Sequence, residues 1–285
     1  AAEVPATVQP AWRAALPQGV TPTAPTAVGD LVFVAGSDGV VRALEAGSGQ
    51  PKWTAFTGGA IRLPPTIADG RVLAGSGDGW VYAWEAATGR LLWRFRAAPV
   101  ERRIPVYGQL SSTWPAASGV LVENGVAYVA AGIVNYDGTH VYALDAATGR
   151  LKWQNNATGH MDPIGRTGVS VQGQMLAFDG RLWLAGGNLV SPAAFDLQDG
   201  RCLNDPAQHV RRTVNNNVPS SESPRGSELH RIGNQVFVSG KPYYSHPQYP
   251  VYDWSVTNKT VVSRVGDRDL AWFNNAKLAC YPRSE

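Results

Sequence analysis

Apolar positions along the chain fall in short runs of β-branched and aromatic residues, each closed by a turn that carries Gly with Asp or Asn. Residues 32–35 (VFVA) are followed by Gly36-Ser37-Asp38-Gly39 and then by 40–44 (VVRAL), and Gly and Asp supply the positive-φ positions a tight antiparallel hairpin needs. The plan recurs as 72–74, a Gly-rich turn at 75–79 and 80–84, and again as 127–131, 132–138 and 139–144. Apolar residues occupy both parities of these strands, so both faces of each sheet must be covered by neighbours. The pattern predicts four-stranded β-meanders stacked face to face.

A phrase repeated three times sharpens this: ALEAGSGQPKW at 43–53, AWEAATGRLLW at 83–93 and ALDAATGRLKW at 143–153. Such a block cannot bury its own apolar surface and must stack on copies of itself. Two weaker copies follow. In the fourth, Cys202-Leu203 stand where the closing Trp should be; in the fifth, 236–238 and 251–254 lead to Val261-Val262. Blades are expected near 22–53, 62–93, 115–153, 168–203 and 227–262. Trp12, ahead of the first full unit, reads as the closing residue of a partial blade, and 268–285 as the start of another. The expected fold is therefore all-β, a propeller of four-stranded antiparallel blades, five of them visible. The count points to an incomplete ring, the alternative being a five- or six-bladed ring closed by the Trp12 strand.

These blocks resemble the tryptophan-docking repeats of the PQQ-like β-propeller superfamily. That superfamily holds quinoprotein alcohol dehydrogenases as well as a non-enzymatic assembly lipoprotein of bacterial outer membranes. The resemblance runs over about residues 12–265 and implies that Trp53, Trp93 and Trp153, with Trp12, stack between blades. It also implies a periplasmic or extracellular location. It names a repeat and not a bound cofactor.

Composition adds little. Charged residues are 16% of the chain and the formal net charge is +3, no run suits a bilayer span, and nothing suggests nucleic-acid binding. Cys202 and Cys280 are open to either a disulfide or two free thiols.

Loop lengths are more telling. In a four-stranded meander the first and third turns share one end, and the second turns and blade-to-blade crossovers share the other. The first set is uniformly short, and every long insertion belongs to the second, which is where a rigid scaffold builds binding sites. Those insertions carry Arg94, Arg96, Arg102, Arg103, Tyr107, Tyr136, Asp137, His160, Asp162, Arg211, Arg212 and Arg225. With 20 Arg against 5 Lys, the face suits carboxylate, sulfate or phosphate groups, which the planar guanidinium pairs bidentately.

The expected role is a binding or scaffold module for a protein partner, or for a further chain that completes the ring, without catalytic residues, metal or cofactor. The first alternative is a PQQ- and Ca²⁺-dependent oxidoreductase. Against it, the adjacent cysteines typical of that group are missing, although Asn215, Asn216, Asn217, Glu222 and Asp137 offer hard-cation oxygens. The second alternative is a propeller that binds or acts on anionic polysaccharide.

Overall fold

The computed structural model describes residues 9–106, 108–133, 137–158, 168–171, 173–186, 190, 192–204, 228–232, 235–238, 241–242, 259–265, 268–273 and 277–282. The protein is an all-β propeller of consecutive antiparallel sheets. The first is β1 (Thr26–Val28), β2 (Leu31–Ala35), β3 (Val40–Glu45) and β4 (Pro51–Phe56), hydrogen-bonded in sequence order. The second is β5 (Thr66–Ala68), β6 (Arg71–Gly75), β7 (Trp80–Glu85) and β8 (Leu91–Arg96). A two-stranded hairpin, β9 (Arg103–Val106) and β10 (Gln109–Ser112), interrupts the crossover to the third sheet. That sheet comprises β11 (Val120–Glu123), β12 (Val126–Ala131), β13 (His140–Asp145) and β14 (Leu151–Asn155).

Three-stranded sheets follow: β15 (Met175–Phe178), β16 (Arg181–Leu184) and β17 (Ala193–Asp196); β18 (Leu229–Ile232), β19 (Gln235–Val238) and β20 (Lys241–Pro242); and β21 (Lys259–Val265), β22 (Arg268–Phe273) and β23 (Lys277–Pro282). The innermost strands β1, β5, β11, β15, β18 and β21 touch in that order, each against the next.

Two sequence expectations change here. The fourth sheet's closing strand shrinks to a single bridge between Phe195 and Cys202; that bridge matches the pairs Leu44 with Pro51, Trp84 with Leu91 and Leu144 with Leu151, so Asn204, and not Cys202-Leu203, stands where the other repeats place Trp. The segment with Val261 and Val262 does not close the fifth sheet; it pairs with β22 over 259–265. Only two residues separate those two strands in sequence, so the local partner costs less loop-closure entropy to reach than β20 does.

Four apolar layers join successive sheets among the described residues, the last of them setting Trp183 and Ala194 against Leu229 and Val236. Phe33, Val41 and Ala43 of the first pack against Val72, Tyr82 and Trp84 of the second. Leu73, Val81 and Trp93 meet Ala127, Val129, Tyr142 and Leu144, and Tyr128 and Val141 meet Leu182, Leu184 and Phe195. In the register, each closing Trp lies opposite an Ala: Ala43 with Trp53, Ala83 with Trp93 and Ala143 with Trp153. The small partner leaves room for the indole to lean onto the next sheet, and a register shift directly after each of those alanines bends the strand around it.

Each indole then meets the third turn of the following sheet. Trp12, Trp53, Trp93 and Trp153 donate their Nε1–H to the backbone oxygens of Ala46, Ala86, Ala146 and Leu197, at 2.7, 2.9, 3.1 and 3.0 Å. The rings lie against Gly49, Gly89, Gly149 and Gly200, where a Cβ would approach them to 2.4–2.7 Å. Trp12 thus stands where the closing Trp of an adjoining blade would stand.

Loops divide between two ends. At one, first and third turns bind each other through Ala46 N to Asp30 O, Ala86 N to Gly70 O and Ala146 N to Gly125 O. At the other, crossovers lie on second turns: Thr57 N to Gly39 O, Gly77 N to Ala60 O, Ala116 N to Ser76 O and Gly132 N to Pro115 O. No helix among the described residues is long and apolar enough to cross a membrane.

Candidate binding face

The longest described elaboration of the crossover end is the segment 97–119. Its root is fixed where Ala97 N and Ala98 N both donate to Gly79 O at 2.9 Å, and its return where Ser112 N reaches Gly77 O at 2.7 Å. Gly79 is required here: at φ +87° a Cβ would lie 2.7 Å from that of Ala98 and 3.0 Å from the oxygen of Trp114.

The anchored segment carries Arg102. Its Nε donates to Thr113 Oγ1 at 3.0 Å, its Nη2 lies 3.4 Å from Asp137 Oδ1, and its guanidinium sits 4.6 Å from the centre of the Trp114 ring. Trp114, buried, donates its Nε1–H to the backbone oxygen of Asp137 at 2.5 Å. Two sequence candidates 35 residues apart, Arg102 and Asp137, are therefore brought together by a tryptophan between them. Beyond Trp114 lies His140, edge-on at 6.3 Å and stacked on Tyr142 at 6.5 Å. Burial lowers the His140 pKa below the usual imidazole value.

Arg103 pairs with Glu101 at 3.2 Å and borders Gly58, as does Asp78. Asp78 is buried, and its carboxylate accepts hydrogen bonds from Gly58 N (2.7 Å), Trp80 N (2.9 Å) and Tyr82 Oη (2.7 Å). Burial, and then the bond to Asp78, push the Tyr82 pKa far up, so the phenol keeps its proton and remains the donor. This cluster ties the second turn of the second sheet to the preceding crossover.

Trp80 begins β7 beside it. Two guanidiniums lie over its ring: Arg94 at 4.8 Å and Arg96 at 6.0 Å from the ring centre. The sequence alone puts these arginines in the crossover, whereas the structure puts them on β8, with Arg96 directly opposite Trp80 and Arg94 opposite Tyr82. Neither Trp80 nor Trp114 stands out in sequence as a site residue. The signal that finds Trp80 is the Arg-Phe-Arg after the closing Trp93, where the other strong repeats read Thr-Ala-Phe and Gln-Asn-Asn; Trp114 has no such signal. Tyr107, Tyr136, His160, Asp162, Arg211, Arg212 and Arg225 lie outside the described residues.

On the propeller axis a cavity of about 460 Å³ is lined by inner strands and crossovers, with Thr26, Leu63, Thr66, Ser118, Gln174 and Met175 among its walls. No described lining residue is ionisable, and no group of three or more His, Cys, Asp or Glu forms among the described residues. An anionic quinone with a hard cation needs facing guanidinium or ammonium groups and carboxylate oxygens, so this lining does not fit such a cofactor. Cys202 is a free thiol; its Sγ lies 3.6 Å from Asn204 Oδ1, and burial raises its pKa.

Several solved structures share the fold. BamB from Moraxella catarrhalis superposes with a TM-score of 0.53 at 13% identity, covering 89% of this chain and 73% of its own. Quinohemoprotein alcohol dehydrogenase from Comamonas testosteroni gives 0.57 at 16% identity, covering 93% of this chain, which spans only 43% of that enzyme. The computationally designed Ika8 protein gives 0.54 at 14% identity, over 92% of this chain and 70% of its own. At such identities the likeness is one of fold, and an enzyme, an assembly factor and a design share it equally. No curated protein matches the sequence. A family model described as outer membrane protein assembly factor BamB matches residues 4–64 and 55–277, nearly the whole chain. With its indole-linked sheets and repeated closing Trp, the chain belongs to that family of PQQ-like β-propellers.

Proposed function

We propose that this propeller is a binding scaffold of the cell envelope that holds a protein partner on its crossover face. The observation that carries the reading is the fixed cationic surface around β9 and β10. There Arg102 is held by Thr113, Trp114 and Asp137, and Arg103 stands at its foot. A side chain already ordered in the free protein loses little freedom on binding, and Arg is among the residue types that most often dominate an interface. Arg102, Arg103 and Asp137 are the contact residues of this proposal. The family's description as an outer membrane protein assembly factor supports a periplasmic setting and a partner from the machinery that assembles envelope proteins.

The test is site-specific photocrosslinking in the native envelope, with the reactive residue at position 103 and, as a control at the opposite end, at position 147. The expected result is one discrete protein adduct from 103 and none from 147, with the adduct weakened about tenfold or more by Arg102→Glu. Equal adducts from both positions, or none from either, would remove the scaffold reading. The quinoprotein alternative predicts dye reduction after addition of PQQ and Ca²⁺.

A further inference from the structure

We propose that Arg94 and Arg96, poised over Trp80, form a clamp for the carboxylates of an acidic, extended polypeptide segment. The proposal rests on the scaffold reading and names the chemistry of the partner. Both arginines are exposed. Among the described residues neither has a carboxylate partner, whereas Arg42, Arg90, Arg102 and Arg103 each have one. Two like charges over one indole repel each other, and the ring faces only partly offset that repulsion. An anion placed between them relieves it.

The repeats supply an internal comparison. Positions 80, 94 and 96 correspond to Val40, Thr54 and Phe56 in the first sheet, and to His140, Gln154 and Asn156 in the third. Those sheets form the same four-stranded ladder without any of the three residues, so the blade does not need the cluster in order to fold. It is an addition to one blade.

Spacing then selects the ligand. Arg94 and Arg96 are alternate residues of β8, the outermost strand of its sheet, and alternate residues of a strand lie about 6.6–6.8 Å apart on one face. An extended polypeptide with acids at every second position has the same period, which the sugar rings of an anionic glycan do not share. Each guanidinium presents a planar fork that takes a carboxylate through two parallel hydrogen bonds. Contact with Trp80 keeps that fork partly ordered before the ligand arrives.

The test uses fluorescence anisotropy with a labelled eight-residue peptide alternating Glu and Thr, its Gln-for-Glu analogue, and heparin, with tryptophan emission read in parallel in the wild type and in Trp80→Phe, whose difference reports Trp80. Expected are binding of the Glu peptide that perturbs Trp80 emission and weakens as salt rises, no binding of the Gln analogue, and an affinity lowered about tenfold or more in Arg94→Gln/Arg96→Gln. A control with the same charge loss at the opposite end, Arg150→Gln/Arg201→Gln, should leave affinity unchanged. The clamp is overturned if the Gln analogue binds equally, if the control loses as much affinity as the clamp variant, or if heparin binds and the acidic peptide does not. Crosslinking from position 103 separates the two readings. An adduct that forms unchanged in Arg94→Gln/Arg96→Gln sinks the clamp and spares the scaffold; a wild-type chain that binds the peptide but yields no adduct does the reverse.

Discussion

At the scale of single residues, glycines on the short-turn end separate backbone strain from packing. Gly125 and Gly149 have nearly the same left-handed backbone, φ +73° and +72°, yet a Cβ on Gly125 meets nothing within 4 Å, while one on Gly149 would lie 2.7 Å from the Trp93 ring. Ala at 125 pays the conformational cost alone, about 1–2 kcal/mol. Ala at 149 must also lift an indole off its seat, a further loss of about 1–3 kcal/mol typical of overpacking. Thermal melts of the two variants should therefore differ, with Gly149→Ala lower in Tm by several degrees; equal Tm values would mean that the indole has room to move. His140 offers a second test. Its folded pKa is lowered, by burial, from the usual 6.5, so the unfolded chain takes up a proton first as pH falls. Stability from this group is complete above 6.5, declines as pH drops through that value, and levels off once the lower native pKa is passed. Tm should thus fall from about pH 7 to about pH 5, and His140→Gln should flatten that stretch of the curve.

At the scale of the element, the closing strand is the unit that joins one sheet to the next. Its Trp contributes in two ways of unequal size. The Nε1–H bond to a backbone oxygen contributes about 1 kcal/mol, while removing a buried ring costs about 3–5 kcal/mol. Chemical denaturation should accordingly rank Trp93→Phe, which keeps an aromatic ring and loses the bond, well above Trp93→Ala; equal losses would mean that the hydrogen bond, and not burial, joins the blades. These strands are legible in the sequence because Trp, Gly and the acid of the turn recur at fixed offsets, which aligns 53, 93 and 153. The hairpin of β9 and β10 was not readable, since nothing in 94–115 repeats. The pairing of Arg102 with Asp137 was hidden for another reason: it depends on Trp114 filling the space between two blades, a contact with no signature in sequence spacing. The sequence shows Arg94 and Arg96 as charges but not as a pair on one ring, because their meeting with Trp80 follows from the β7 and β8 register. The fate of 259–265 turned on competition between a distant sheet and a nearby hairpin partner, which local pattern does not decide.

At the scale of the whole molecule, the main contacts between sheets among the described residues run along the series of inner strands, each sheet against the next, so stability is distributed as in a linear array, with intrinsic and nearest-neighbour parts. Trp93 and Trp12 make the same bond to equivalent turns, yet Trp93 lies within the series and is buried, while Trp12 sits on the leading side of the first sheet and is half-buried. The side of the first sheet facing away from the second carries Val32, Val34, Leu44 and Phe56, of which Phe56 is 72% exposed. A defect at Trp93 removes a junction with sheets on both sides, whereas one at Trp12 removes only a terminal contact. Hydrogen exchange followed by mass spectrometry should show Trp12→Ala accelerating amides of 40–56 while leaving 126–155 protected. Trp93→Ala should accelerate both 80–96 and 126–155 and broaden or split the unfolding transition, because the array then holds two blocks that open separately. If Trp12→Ala instead loosens every sheet to the same degree, the blades do not behave as a nearest-neighbour series, and the molecule folds as one closed cooperative unit in which Trp12 is as central as Trp93.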